Sequence, residues 1–321
     1  MSDMPWGAVI EQIAQALAAG LTTGCLYGLT CVGLALIFGI MRVINFAQGD
    51  FIMVGMYLAV AITAPLAGIG LLGVAAPFVA AVLVAPVMFA AGALLHRFLV
   101  SRTTGLSAAG LSGEGHQAQL VLTLGIALVL ENGALIVMGS SPLSIISPLS
   151  SNAWEVPLLY DADSTLFLNQ ARVLAALIAV AVVLALVWAI RSTELGKSLR
   201  AAADSPEAAT YMGIDVNRAH RIAFAAGTAL AGMAGGLIVL TSPVQPFVGT
   251  DFIIIMYAGV VLGGMGSVSG AFWGGMVIGL VQQLSTLVLP LQLQTAVVFL
   301  VFVLILLLRP QGLFGRSVER A

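Results

Sequence analysis

Polar side chains interrupt apolar stretches of the sequence at two places. Asn45 and Gln48 lie in the segment MRVINFAQGD, residues 41–50, between two apolar runs, and Glu131 is followed by Asn132 inside a third run. An ionisable group at the centre of a bilayer costs about 2.5–3.5 kcal/mol on insertion scales, so such a residue invites a functional hypothesis. Amide and carboxyl groups at these positions could hydrogen-bond a polar solute. For Glu131 the alternative is a protonated or hydrogen-bonded carboxyl that holds helices together.

The segment 41–50 is too short to form an ordinary loop domain. A bent segment that dips back into a membrane would expose backbone dipoles and the amides of Asn45 and Gln48 to a solute. Membranes tolerate such non-helical backbone only beside a cavity or inside protein. Asp50 and Asp251 stand at the expected first turns of apolar helices, where N-capping and the helix dipole favour an acid.

A different signal lies in residues 194–215, ELGKSLRAAADSPEAATYMGID. Ser205 is a typical N-cap residue, Pro206 suits the first helical position and Glu207 suits the first turn. Gly213 would end this short helix in a left-handed turn. Because a helix of seven or eight residues is marginal alone, we predict that it docks against another structural element. The alternative is a solvated loop without a partner.

No group of residues has the types and spacing of a catalytic, cofactor or metal site. Gly196-Lys197-Ser198 resembles the end of a phosphate-binding loop, but the first glycine of that motif would fall on Arg191, and an apolar helix precedes it. The histidines are scattered over separate loops, and no His or Cys spacing suits a metal ion. Cys25 and Cys31, six residues apart in one helix, would point about 120° away from each other. We therefore predict a protein that is not an enzyme, with no cofactor, metal or disulfide.

The composition places these residues in a membrane. The chain has 321 residues, of which 60% are hydrophobic and 8% are charged, against roughly 25% charged residues in a soluble domain. So few charges cannot cover a soluble surface, and so much hydrophobicity excludes disorder. The net charge of −2 also excludes nucleic acid as a partner. We predict an all-α, polytopic integral membrane helical bundle.

Its spans follow from the apolar runs, because a helix needs about 20 apolar residues to cross a bilayer. The predicted spans number eight or nine and lie near 14–40, 49–64, 71–95, 119–139, 171–190, 221–241, 251–264, 268–288 and 293–308. Runs 49–64 and 251–264 are short enough to be broken or re-entrant. Small residues four apart, as in Gly20, Gly24 and Gly28, predict close helix packing.

Basic residues predict the orientation, because Lys and Arg near span ends stay in the cytoplasm. They crowd into 191–221 and recur in 96–118 and in the tail, where Arg316 and Arg320 lie. Residues 140–170 have no Lys or Arg but include Asp161 and Asp163, so this segment is predicted outside.

The hydrophilic stretches are too short to fold alone around a core. Residues 1–321 are therefore predicted to form a single transmembrane domain, with a cytoplasmic coupling loop at about 191–220.

Several of these motifs resemble one known family. Glu207-Ala208-Ala209, followed after three residues by Gly213, is similar to the EAA loop of ABC importer permeases, whose short helix fits a groove on the ATPase. The wider resemblance is to the branched-chain amino acid ABC transporter permease family, over about residues 17–312. It rests on Gly196, Arg200-Ala201, Ala208-Ala209, Gly213-Ile214, Ile44-Asn45-Phe46-Ala47-Gln48-Gly49-Asp50-Phe51, Glu131-Asn132 and Val261-Leu262-Gly263-Gly264-Met265-Gly266-Ser267. Gln48 departs from the histidine usual in that family.

The resemblance implies a multi-pass permease of the bacterial inner membrane, surrounded by lipid. It implies three kinds of partner: a second homologous permease subunit, two cytoplasmic ATP-binding subunits and a periplasmic substrate-binding protein. The residues predicted to couple to the ATPase are Glu207, Ala208, Ala209 and Gly213, with Arg200 and Asp204 as nearby supports. Those predicted to line the translocation path are Asn45, Gln48 and Glu131.

The predicted function is ATP-driven import of branched-chain amino acids, or of related small amino acids and amides, by alternating access. The alternative is a stand-alone channel or ion-coupled secondary transporter for a small polar solute such as urea. Because selectivity in such importers lies largely with the binding protein, the sequence leaves the substrate open. It also leaves open whether the permease pair is homodimeric or heterodimeric.

Overall fold

The structure is a computed structural model that describes residues 6–68, 73–102, 114–157, 165–290, 293–309 and 311–314. Almost all of the described chain is helical. The helices are α1 (Trp6–Met41), α2 (Gln48–Ala67), α3 (Ala76–Phe98), α4 (Glu114–Met138), α5 (Pro148–Ser151), α6 (Gln170–Ser192), α7 (Glu194–Asp204), α8 (Pro206–Tyr211), α9 (Val216–Ile238), α10 (Val248–Gly263), α11 (Val268–Ser285) and α12 (Gln294–Leu308). A 3₁₀ turn spans Val100–Arg102, and two strands, β1 (Ala153–Pro157) and β2 (Thr165–Asn169), pair antiparallel.

A helix of at least 15 residues stands at each of the nine positions predicted to be a span. Six of these helices, α1, α2, α3, α4, α6 and α9, are long and apolar enough to cross a membrane. The other three are shorter or less apolar: α10 has 16 residues, α11 has 18 and α12 has 15. The chain is therefore a multi-pass helical membrane protein, and the number of eight or nine crossings stays a prediction.

Two helices form the centre of the bundle. In both α1 and α9, 83% of the most apolar stretch is buried inside the protein, against 17% in α4. The predicted small-residue packing is present along α1, where a Cβ on Gly24 would lie 2.8 Å from the carbonyl oxygen of Met276 in α11. Along α9, a Cβ on Gly236 would lie 2.9 Å from Cα of Ala81 in α3. Glycine thus lets these backbones approach closely where lipid offers no hydrophobic drive.

The triplets α1–α3 and α9–α11 make equivalent contacts. α1 packs along α11 as α9 packs along α3, and the middle helices α2 and α10 contact each other. α1 ends on the side where α9 begins, because Arg42 beyond α1 donates from Nη2 to the carbonyl oxygen of Ala203 in α7, shortly before α9. Because α1 and α9 run in opposite directions, the triplets are related as an inverted repeat, which is common in transporters. The starts of α2 and α10 are also similar, Gly49-Asp50-Phe51-Ile52 against Gly249-Thr250-Asp251-Phe252-Ile253.

The structure corrects and extends parts of the sequence prediction. The segment predicted as an outer loop contains the hairpin β1–β2. The side-chain amide of Gln15 in α1 binds this hairpin at Phe167, because its Nε2 donates to the Phe167 carbonyl oxygen and its Oε1 accepts from the Phe167 N–H. The predicted coupling loop contains a second helix, α7. Cys25 and Cys31 are both buried in α1 and are free thiols. The charged residues Asp161, Asp163, Arg316 and Arg320 lie outside the described residues.

Candidate functional site

Residues 42–47, called the re-entrant segment below, turn the chain back alongside α1. Arg42 has a φ of 53°, a left-handed conformation that ends α1. Gln48 then lies beside the middle of α1, because a Cβ on Gly33 would be 3.2 Å from its Nε2 atom. Gly33 precedes the last residue of α1, Met41, by eight residues, so the chain returns about 12 Å into the bundle. The bent segment predicted from the sequence is present.

Two amide side chains hold this segment in place. Asn45 Nδ2 donates to Gln48 Oε1 at 3.0 Å, and Gln48 Nε2 donates to the carbonyl oxygen of Gly227 in α9 at 3.0 Å. Asn45 Oδ1 also accepts from the backbone N–H of Ala47 at 3.2 Å. Both amide side chains are 0% exposed. In this conformation they fasten the re-entrant segment to α9, and their part in lining a path stays a prediction.

The first turns of α2 and α10 meet inside the bundle. A Cβ on Gly49 would overlap the carbonyl oxygen of Gly249, and a Cβ on Gly249 would lie 2.5 Å from Oδ1 of Asp50. Asp50 is buried and Asp251 is exposed. Each aspartate stands in the first turn of its helix, as predicted. The expected N-capping by these aspartates is wrong, because the N-cap residues are Ala47 and Phe247 and neither helix has a side-chain cap. The two glycines therefore form the contact between the two triplets at this level.

Glu131 lies one helix away from the amide pair. It is part-buried on α4, which packs against α2, the helix that carries Asp50. The re-entrant segment also reaches α4, because the backbone N–H of Phe46 donates to Thr123 Oγ1 at 3.3 Å. The structure thus brings the two amides together and places Glu131 on the neighbouring helix.

On the side of the bundle where α1 ends, α8 has the ends that the sequence predicts. Ala208 N–H donates to Ser205 Oγ at 3.3 Å, which caps the start of the helix. Gly213 has a φ of 81°. The N–H of Gly213 donates to the carbonyl oxygen of Thr210 at 3.0 Å, and the N–H of Ile214 donates to the carbonyl oxygen of Ala209 at 2.9 Å. This pair of bonds is a Schellman termination, which requires the left-handed residue that glycine supplies at least cost.

The predicted coupling residues all lie on α7, on α8 or directly after α8. Five of them are exposed, namely Arg200, Asp204, Glu207, Ala208 and Gly213. Ala209 is 4% exposed and faces the protein. Two neighbours missed by the sequence reading are the most prominent side chains here: Tyr211 is 89% exposed and Met212 is 83% exposed. The available signal was two large apolar residues directly before a helix-ending glycine.

α7 connects α8 to the bundle. Thr193 Oγ1 caps it by accepting from Gly196 N–H at 3.1 Å. Its buried side is formed by Gly196, Leu199 and Ala202, and α7 as a whole contacts α6, α9 and α1. The Arg42 contact with Ala203, at 3.3 Å, adds a direct link to the end of α1. A displacement of α8 would therefore act on both central helices.

A groove of about 300 Å³ separates α7 from α9 next to the end of α8. Its walls include Leu195, Ser198, Ile214, Arg218 and Ile222. Within the described part of the chain, no group of three or more His, Cys, Asp or Glu residues could hold a metal ion. The candidate site thus combines the exposed helix α8 on the surface with the hydrogen-bonded re-entrant segment within the bundle, and α7 connects the two.

Comparison with known proteins decides the family. The family model described as "Branched-chain amino acid transport system / permease component" matches residues 16–308, which contain both the re-entrant segment and α8. The chain belongs to this permease family. No solved structure matches the permease.

Curated relatives cover nearly the whole permease. It is 29% identical over 307 residues to the Escherichia coli K12 "High-affinity branched-chain amino acid transport system permease protein LivH". The matched region covers 94% of this chain and 95% of that relative. It is 28% identical over 310 residues to the Pseudomonas aeruginosa permease protein BraD, covering 96% of this chain and 97% of that relative. A probable LivH of Methanocaldococcus jannaschii is 28% identical over 297 residues, 89% of this chain and 88% of that protein.

Proposed function

We propose that this permease is the membrane-spanning subunit of an ATP-driven importer, and that α8 is the helix on which ATP-binding subunits act. One observation carries the proposal: α8 is a capped surface helix whose end exposes Tyr211 and Met212 at 89% and 83%. Large apolar side chains exposed together on a polar surface are typical of protein contacts. The side on which they lie is the one where basic residues predict cytoplasm.

The partners follow from this role. Two cytoplasmic ATP-binding subunits would supply the energy, and a second homologous permease subunit would complete the path. A periplasmic substrate-binding protein would deliver the solute to the outer face, and the whole assembly would sit in the lipid of the inner membrane. The substrate class is that named in the relatives' descriptions, branched-chain amino acids, or else related small amino acids and amides.

In the proposed mechanism, ATP binding closes the ATP-binding subunits and displaces α8. The displacement passes through α7 to Arg42 at the end of α1, and through the short connection after Gly213 to α9. These helices are packed through glycines, so they can shift against each other without large side chains blocking the way. Asn45, Gln48 and Glu131 would then face an aqueous path that opens to one side at a time.

Substrate-stimulated ATP hydrolysis in the reconstituted complex tests this proposal. Gly213→Pro removes the N–H that binds Thr210 and forces φ to about −65°, so the Schellman termination is lost. We expect stimulated hydrolysis to fall at least about tenfold, with the fold of the bundle intact. Gly213→Asn is the matched control, because asparagine tolerates the left-handed conformation and keeps the N–H. Unchanged coupling in Gly213→Pro would overturn the role of α8.

A second arm tests the alternative function. Liposomes containing the permease alone, with an ion gradient and no ATP-binding subunits, should show no uptake of radiolabelled leucine or urea. Ion-driven uptake in these liposomes would instead support a stand-alone channel or secondary transporter.

A further inference from the structure

The two triplets of the inverted repeat differ in how they treat the polar side chains before their middle helices. In the first triplet, Asn45 and Gln48 are 0% exposed and are hydrogen-bonded to each other and to α9. The corresponding part of the second triplet is the connection between α9 and α10, residues 239–247, with the first turn of α10. The exposed polar side chains there are Gln245, Thr250 and Asp251. The second triplet is therefore open where the first is closed.

Asp251 lies deep in the membrane. Its neighbour Phe252 packs edge-on against Tyr27 of α1, with the ring centroids 6.5 Å apart. Tyr27 is the central residue of the predicted span 14–40, and it precedes the end of α1 at Met41 by about 21 Å. A bilayer core is about 30 Å thick, so the first turn of α10 lies within the hydrocarbon region.

A carboxyl group at this depth requires water or a polar partner. The Asp251 side chain has no hydrogen bond and no ion pair with the part of the chain that the structure describes. Burial by protein does not shield it either, in contrast to Asp50 of the first triplet, which is 6% exposed. Acidic residues within membrane segments almost always face the protein interior or a water-filled cavity, and they mark solute pathways. We therefore expect water to reach Asp251.

The groups around Asp251 make a mixed surface. Phe247, the N-cap residue of α10, is 53% exposed, and it precedes Thr250 and Asp251 by three and four residues, which places the three on one side of the first turn. Thr250 Oγ1 donates to the carbonyl oxygen of Phe247 at 3.1 Å and can still accept a hydrogen bond. The exposed amide of Gln245 can both donate and accept. These four side chains thus combine one negative charge, two neutral hydrogen-bonding groups and one aromatic ring.

We propose that this surface lines the translocation path and that the Asp251 carboxylate binds the α-ammonium group of an amino acid as it passes. The proposal rests on the proposed function and selects amino acids from the substrates that the sequence leaves open. The fitting solute carries a cation for Asp251, a hydrogen-bonding group for Gln245 or Thr250 and an apolar side chain for Phe247. A branched-chain amino acid has all three, whereas urea and short amides have no cation.

Thiol labelling of the complete importer in membranes tests whether water reaches this surface. Asp251→Cys is compared with Leu184→Cys, because Leu184 is 65% exposed on the apolar outer side of α6. The native thiols give little background, since Cys25 and Cys31 are 7% and 0% exposed. A charged methanethiosulfonate reacts with the thiolate, which forms in water and not in lipid. We expect labelling at position 251 to be at least about tenfold faster than at position 184. Equally slow labelling at both positions would overturn the aqueous path.

Two substitutions separate the charge of Asp251 from its shape. The readout is uptake of radiolabelled leucine into proteoliposomes containing the complete importer and its binding protein, divided by the ATP hydrolysed. Asp251→Asn keeps the size of the side chain but removes its charge, so we expect this ratio to fall at least about tenfold. Asp251→Glu keeps the charge and should retain most of the ratio. A misfolded variant would instead lose uptake and stimulated hydrolysis together.

The outcomes distinguish this proposal from the proposed function. An unchanged ratio in Asp251→Asn, or equal losses in both variants, would overturn the ammonium contact while ATP-driven import by the wild-type importer still stands. If the wild-type importer hydrolyses ATP but takes up no solute, the proposed function itself fails.

Discussion

Replacing Gln48 with alanine is expected to lower the unfolding temperature of the purified permease by about 4–8 °C. Gln48 is completely buried and joins the re-entrant segment to α9. Its removal breaks two bonds at once, the one from Asn45 and the one to the Gly227 carbonyl oxygen, both 3.0 Å long. The change also leaves the Asn45 amide buried without its acceptor.

The magnitude follows from these contacts. Each hydrogen bond contributes about 1 kcal/mol net, and a buried donor without a partner costs about 1–3 kcal/mol. The lost Asn45 bond and the unsatisfied Asn45 donor describe one effect and are counted together as about 1–3 kcal/mol. Adding about 1 kcal/mol for the lost bond to Gly227 gives a total of about 2–4 kcal/mol. One kcal/mol shifts the melting temperature by about 2–4 °C in chains of 150–250 residues, and less in longer ones. A value of about 2 °C per kcal/mol gives the expected range.

The two buried cysteines supply the assay. Cys25 is 7% exposed and Cys31 is 0% exposed, so a thiol-reactive fluorogenic dye should react only as the bundle opens. Heating the detergent-solubilised protein with this dye gives the unfolding temperature of each variant without any added label.

Two further variants separate the hydrogen bonds from simple loss of volume. Gln48→Met keeps most of the side-chain volume and should lose nearly as much stability as Gln48→Ala. Asn217→Ala removes an amide from the exposed surface of α9 and should change the unfolding temperature by less than about 1 °C. A Gln48→Ala protein that unfolds within 1 °C of wild type would refute the reasoning, because the amide pair would then contribute nothing.

Four other substitutions test separate parts of the structure. Ser205→Ala removes the cap on Ala208 and should cost α8 about 1 kcal/mol, lowering stimulated ATP hydrolysis without shifting the dye-detected unfolding temperature. In Gly49→Val, the new side chain overlaps the Gly249 backbone and should destabilise the bundle by about 1–3 kcal/mol in the same dye assay. The control is Gly125→Val on the open face of α4, which should leave the unfolding temperature of the isolated subunit unchanged. Arg42→Ala breaks the contact with α7 and should weaken coupling of ATP hydrolysis to transport more than it lowers stability.

Features set by neighbouring residues were predictable from the sequence. The ends of α8 are an example, because Ser205, Pro206 and Gly213 each act on backbone groups within a few residues. The return of the re-entrant segment was predictable for a similar reason, since residues 41–50 leave too little chain for a loop between two apolar runs. Helix positions followed from apolar runs, because each long helix stands where such a run was found.

Pairings between distant segments were not predictable in this way. The glycines of α1 indicate that some helix packs closely there, but nothing local to Gly24 identifies Met276 of α11 as its neighbour. Likewise, Gln48 reads as a polar residue available to a solute until the fold brings the Gly227 carbonyl oxygen within 3.0 Å. The hairpin was missed because its strands, AWEVP and TLFLN, are short and show no sustained alternation of apolar and polar residues.

In the proposed mechanism, the inverted repeat explains how the single helix α8 would act on the whole bundle. α1 and α9 are the equivalent first helices of the two triplets, and they run in opposite directions, so the end of one and the start of the other lie beside α7. The middle helices of the two triplets, α2 and α10, meet at Gly49 and Gly249. A displacement of α7 would therefore enter both triplets together, at the end of the first helix in one and at its beginning in the other. Because the triplets are inverted, the same push would have opposite effects on the two sides of the Gly49–Gly249 contact, as closing one side of a path and opening the other requires.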